Sequence, residues 1–125
     1  MAKQFIQANY EDGDHAVTVG LTLVLWEEDG ISYQYSPELD LTGYGHSKTE
    51  AKDSFEHVLE DFIKYTLHKK TIFDELERLG WTTNKKKKRL KAPEEEQLLQ
   101  DNETYKNLIG MPGVSKSRTD ISLPI

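Results

Sequence analysis

Apolar and polar positions change their period along this chain, and each change marks a predicted element. The run from Ala16 to Trp26, Ala-Val-Thr-Val-Gly-Leu-Thr-Leu-Val-Leu-Trp, is rich in β-branched types and bounded by Asp and Gly residues, which predicts a strand. Its nearly continuous apolarity from Leu21 onward suggests a central place in a sheet. Asp29-Gly30 supplies the positive φ of a tight hairpin, and Ile31-Ser32-Tyr33-Gln34-Tyr35 then alternates as a half-buried return strand. Pro37 ends that strand because it has no N–H to donate. After the loop from Glu38 to Thr42, Gly43-Tyr44-Gly45-His46 forms a short third strand or a bend, with its glycines assigned to turn geometry.

The period then becomes helical. Ser47-Lys48-Thr49-Glu50 reads as an N-cap with a capping box, so a helix is expected from about Lys48. Ala51, Phe55, Val58, Leu59, Phe62, Ile63 and Thr66 or Leu67 recur at three- and four-residue spacing and form the stripe that packs on the sheet. A second short helix is expected from Ile72 to Leu79, stopped by Gly80 in a left-handed cap, with Trp81 returning to the core. Thr82 to Lys91 is polar and basic and suits either a fourth strand at the sheet edge or a solvated linker. Pro93-Glu94-Glu95-Glu96 begins like a helix, and the stretch from Gly110 onward reads as irregular. The predicted class is α+β: a three- to four-stranded antiparallel β-meander packed against one long helix and one short one. Residues 1–92 are expected to form the domain, and 93–125 a C-terminal extension or tail.

Composition narrows this picture. A chain of 125 residues, 36% hydrophobic and 30% charged, suits one modest core under a heavily solvated surface. The absence of cysteine excludes a disulfide framework, a thiolate zinc site and a cysteine nucleophile, and favours an intracellular setting. No signal-peptide core opens the chain, and the apolar run to Trp26 is far shorter than the roughly 20 residues that span a bilayer. The expectation is a cytoplasmic protein without membrane contact. The net charge of −6 is unevenly spread: residues 1–80 hold seven Lys/Arg against sixteen Asp/Glu, whereas 81–92 hold six basic residues and no acid. Nucleic acid would therefore meet attraction only around Lys85 to Lys91.

Candidate chemistry is sparse. Asp40, Glu50, Asp53, Glu56, Glu60 and Asp61 invite a test for magnesium-dependent phosphodiester chemistry. The strand from Ala16 to Leu25 offers no carboxylate to converge with them, and Glu56 and Glu60 fall on the solvent face of the helix. His15, His46, His57 and His68 are scattered, without a metal-binding i, i+4 pair. Ser36, Ser47 and Ser54 lack a nucleophile-elbow context. Neither the dinucleotide fingerprint nor a P-loop surrounds Gly43 and Gly45. No catalytic, metal or cofactor-binding residue is assigned. The candidates for contact are the basic run Lys85, Lys86, Lys87, Lys88, Arg89 and Lys91, and the tyrosines Tyr33, Tyr35 and Tyr44. Tyr33 and Tyr35 project from one sheet face, where they either form an exposed aromatic surface or line the face covered by the helix.

The run Tyr35-Ser36-Pro37-Glu38-Leu39, then Gly43-Tyr44-Gly45-His46-Ser47-Lys48-Thr49-Glu50-Ala51, followed by Phe55, Leu59 and Phe62, resembles the HicB family of antitoxins. The similarity covers about residues 16–80. It implies a partially degraded ribonuclease-H-like fold whose fourth strand runs from Trp81 to Leu90, and a protein that binds a small toxin ribonuclease or RNA. Family members often add a helix-turn-helix or ribbon-helix-helix, and residues 93–125 match neither. The first reading is a non-catalytic binding module with a protein partner, assembled as a homo-oligomer. The alternatives are an RNA-binding protein using residues 85–91 and the tyrosines, and a metal-dependent nuclease.

Overall fold

Asp29 and Gly30, with φ of 54° and 78°, form the expected two-residue turn, whose twist matches that of the strands it joins. It connects β1 (Val17–Glu28) to β2 (Ile31–Ser36) and sets Trp26 opposite Tyr33 and Val24 opposite Tyr35. The computed structural model describes residues 16–125; His15, weighed above as a metal ligand, lies outside them. The chain continues through β3 (Leu41–Gly45), α1 (Lys48–His68), α2 (Ile72–Arg78), β4 (Thr82–Asn84), β5 (Arg89–Lys91), α3 (Glu95–Asp101), α4 (Glu103–Ile109) and β6 (Ser115–Leu123).

The main sheet is antiparallel, with strand order β3-β2-β1-β6. The expected meander and α+β class are thus present, but the fourth strand comes from elsewhere. Residues 82–91 are neither an edge strand of this sheet nor a linker, because β4 and β5 pair only with each other. The stretch expected to be irregular supplies β6, which pairs with β1 from Val17 opposite Leu123 to Leu25 opposite Ser115. Only the last third of β6 is apolar, at Ile121 and Leu123, so its alternation is masked by the polar run from Ser115 to Asp120. Packing therefore does not break after residue 92: the supposed tail completes the sheet.

Strand periodicity explains the two cores. Val19, Leu21, Ile121 and Leu123 point to one face and meet Phe55, Leu59 and Ile63 of α1 with Ile72 and Leu76 of α2, and Trp81 joins them. Val24 and Tyr35 point to the other face and meet Leu98, Tyr105 and Leu108 of α3 and α4. Burial on both faces accounts for the nearly continuous apolarity of β1 from Leu21 to Trp26.

Local signals behave as the sequence suggests. Ser47 Oγ accepts the Glu50 N–H at 3.1 Å, and Glu50 Oε1 accepts the N–H of His46, one position before the cap, at 2.9 Å. Gly80, with φ of 98°, follows α2, where the Gly80 N–H meets the Glu77 carbonyl and the Trp81 N–H the Leu76 carbonyl. This pair of bonds is the Schellman ending that delivers Trp81 into the core.

Gly43 and Gly45 serve packing rather than a turn. Neither has a positive φ. A Cβ at Gly43 would fall on the Phe55 backbone and 2.7 Å from the Ala51 carbonyl oxygen, so α1 rests directly on the β3 backbone. We expect Gly43→Ala to cost about 1–3 kcal/mol, as overpacking against backbone does. Gly110→Ala, whose Cβ meets nothing closer than 3.7 Å, should stay within about 0.5 kcal/mol of the parent. Urea unfolding of the two variants checks the contrast.

Candidate functional site

The tyrosines lie on the face opposite α1, where α3 and α4 cover only part of the sheet. Tyr35 falls under them and is 2% exposed. Its hydroxyl donates to Asp40 Oδ1 at 2.8 Å and accepts from Asn102 Nδ2 at 2.9 Å. Burial pushes that hydroxyl's pKa far above the usual tyrosine range; the Asn102 hydrogen bond works against the rise and Asp40 reinforces it. Asn102 Oδ1 also accepts the Tyr105 N–H at 2.9 Å, so one side chain caps α4 and anchors it to β2. Tyr35 is a structural residue rather than a contact residue.

Tyr33 and Tyr44 belong together, and Trp26, the last residue of the apolar run in β1, joins them. The Trp26 and Tyr33 rings stack at 4.9 Å and 12°, and Tyr33 meets Tyr44 at 6.4 Å and 36°. The first spacing equals the distance between neighbouring strands, and the three rings form a row across β1, β2 and β3. Trp26 packs at its inner end against the second core. Tyr44, 65% exposed, is the outer end. A cleft of about 420 Å³ at this end of the sheet is lined by Leu25, Glu27 and Ser32, which alternate to the α1 face, by Lys48 and Ala51 of α1, and by Trp26 and Tyr33.

The lysines form a different surface. Lys85 to Lys88 make the turn of the β4–β5 hairpin, Arg89 and Lys91 lie in β5, and all six are exposed. Asn84 Oδ1 accepts the Lys87 N–H at 3.1 Å, and Lys88 takes a positive φ of 50°. Lys85 Nζ stands 5.7 Å from the centre of the Phe73 ring, and Lys91 pairs with Glu94 at 3.2 Å. Leu90 packs against the core on the α1 face, whereas the aromatic row is on the other. The structure therefore does not bring the lysines and tyrosines into one surface.

The acids and histidines do not converge. Among the described residues no three of His, Asp and Glu are grouped so as to hold a metal ion. Glu56 and Glu60 pair with Lys52 and Lys64 along α1, and His46, His57 and His68 are exposed. Ser54 accepts the Tyr44 N–H at 3.1 Å and so closes the outer edge of β3. No helix among the described residues is long and apolar enough to cross a membrane.

One buried carboxylate escaped the sequence reading. Glu38, 2% exposed, follows β2 just where that strand leaves β1. Its Oε1 accepts the Thr22 N–H at 2.9 Å and the Ser36 hydroxyl at 3.3 Å, and Oε2 accepts the Thr22 hydroxyl at 2.7 Å. Trp81 Nε1 donates to the Glu38 carbonyl at 2.8 Å, and Arg118 Nη1 donates to Thr22 Oγ1 at 3.1 Å. The carboxylate thus supplies a main-chain N–H of β1 with the partner that β2 no longer offers. A second acid, Glu95 of α3, accepts from Lys116 at 2.8 Å and from the Tyr105 hydroxyl at 2.8 Å. Partial burial raises its pKa, but the hydrogen bonds from Lys116 and Tyr105 outweigh that and hold it below the usual carboxylate range.

No family model, curated protein or solved structure matches this chain.

Thr22→Val keeps the shape of β1 but removes a donor from a buried carboxylate, so the variant should lose roughly 1–3 kcal/mol of stability; denaturant unfolding reads this. For Glu95 the folded pKa lies below the unfolded one, so its contribution is present above the unfolded carboxylate pKa and fades as pH falls through the folded pKa. The Tm difference between the parent and Glu95→Gln should accordingly shrink on acidification. It should be small throughout, because both Glu95 and Lys116 are nearly half exposed.

Proposed function

We propose that the protein is a non-catalytic binding module, resembling a HicB-type antitoxin, that takes a protein partner on the Trp26–Tyr33–Tyr44 row. The observation that supports this is the orientation of the rings. Trp26 and Tyr33 are stacked on each other, so each has given up a π-face and turns its edges outward. Base stacking needs an open ring face, as on single-strand RNA platforms. Protein partners instead fill the spaces beside upright aromatic anchors, and such rings dominate interface energetics. The meander followed by a capped helix suits the HicB-type reading, in which the partner is a small toxin ribonuclease.

RNA binding is the second reading. It draws on the hairpin tip, where five consecutive cations, Lys85 to Arg89, face solvent.

Affinity capture from the source cells separates the two readings. The first predicts a small basic protein, identified by mass spectrometry and reconstituted from purified components, whose ribonuclease activity falls as the chain is added. Tyr33→Ala combined with Tyr44→Ala should weaken that complex at least about tenfold, the scale of an interface hot spot. Replacing Lys85, Lys86, Lys87 and Lys88 by Gln should leave it intact. Binding of labelled single-stranded RNA that falls steeply with salt and is lost in the lysine variant, with no protein captured, would overturn the first reading for the second.

A further inference from the structure

The two edges of the sheet are unlike. At β3 the outward N–H of Tyr44 is taken by Ser54, whereas among the described residues no strand pairs with the outer side of β6. Register decides which main-chain groups β6 presents there. The Thr22 N–H points away from β6, toward Glu38, so Thr22 and Arg118 are a non-hydrogen-bonded pair of the β1–β6 ladder. By alternation, the N–H and C=O groups of Arg118 and Asp120 point outward, and those of Thr119 point in toward Leu21.

We propose that a second copy of this chain pairs antiparallel with β6 about a two-fold axis at Thr119, joining the two sheets into one of eight strands. This gives a surface to the oligomer expected under the preceding reading. It does not depend on the aromatic row. The choice of register follows from charge. Centred on Thr119, Arg118 faces the partner's Asp120 and Asp120 faces the partner's Arg118, on one sheet face and in the hydrogen-bonded positions. Centring on Arg118 or on Asp120 would set like charges opposite each other, and centring on Ser117 would set Lys116 against Arg118. Like charges directly opposite are unfavourable and opposite charges favourable. Arg118 reaches back over Gly20 to Thr22, while the Asp120 carboxylate has no hydrogen-bond or ion-pair partner among the described residues. The self-complementary Arg-Thr-Asp triplet is a reason for a second copy, rather than an unrelated strand, to occupy this edge.

Light scattering on the full chain should give twice the 14.4 kDa chain mass. Arg118→Glu and Asp120→Lys each set like charges across the axis and should raise the dissociation midpoint roughly tenfold, from two disfavoured cross-strand pairs. An equimolar mixture of the two variants restores opposite charges at both pairs and should recover the dimer. Circular dichroism of each variant establishes that it is folded, and Asp120→Lys removes no hydrogen bond or ion pair among the described residues. The chain has no cysteine, so Thr119→Cys adds its sole thiol on the axis. There the two Cα atoms lie about 4.5 Å apart, within disulfide reach. Oxidation should cross-link Thr119→Cys but not Ser117→Cys, whose thiols fall about 13 Å apart along the strands. A monomer at every concentration overturns the proposal. So do a mixture that fails to recover the dimer and equal cross-linking at the two positions. None of these results bears on capture of a partner by the aromatic row.

Discussion

The architecture depends on how β1 is completed once β2 has turned away from it. A central strand that loses its neighbour halfway exposes N–H and C=O groups that must find partners, because a buried unpaired backbone donor costs as much as a lost hydrogen bond. Glu38 solves this with a side chain. Its carboxylate receives the Thr22 N–H and hydroxyl, and its carbonyl receives the indole of Trp81. One residue therefore ties together the middle of β1, the end of β2 and the segment after α2. The carboxylate is buried and held by hydrogen bonds from hydroxyl and amide donors, with Arg118 one step beyond Thr22.

The same arrangement divides the surface by role. The face under α1 and α2 is closed, because glycines at 43 and 45 let the helix settle onto the strand backbone. The opposite face is covered by α3 and α4 only as far as Val24 and Tyr35, and the aromatic row begins where that cover stops. The basic hairpin is a separate outgrowth, anchored by Leu90 to the first core. A single contact surface built from both lysines and tyrosines does not exist in this fold.

What was legible in the sequence was local. Asp29-Gly30, the Ser47 cap and the helical stripe from Ala51 to Ile63 each carry a strong short-range signal, and each forms the element it predicts. Gly80 and Trp81 do likewise. The Trp26–Tyr33 pairing was also within reach, since a two-residue turn at 29 and 30 dictates it. What was not legible depends on contacts distant in sequence. β6 carries polar residues over most of its length because its outer side is an edge, so neither apolarity nor alternation announces it. Glu38 looks like a loop acid until Thr22, sixteen residues earlier, is placed beside it. Gly43 and Gly45 resemble turn residues unless a helix is known to lie on them.

The pairing of Val17 with Leu123 spans nearly the whole described chain. During synthesis the meander and α1 leave the ribosome well before β6, so β1 first exists as an edge, with Val24 and Tyr35 bare on one face. Long-range pairings of this kind slow folding and prolong the life of species that expose unpaired strand and apolar surface. The vulnerable interval for this protein is thus set by the arrival of the most hydrophilic strand of its main sheet.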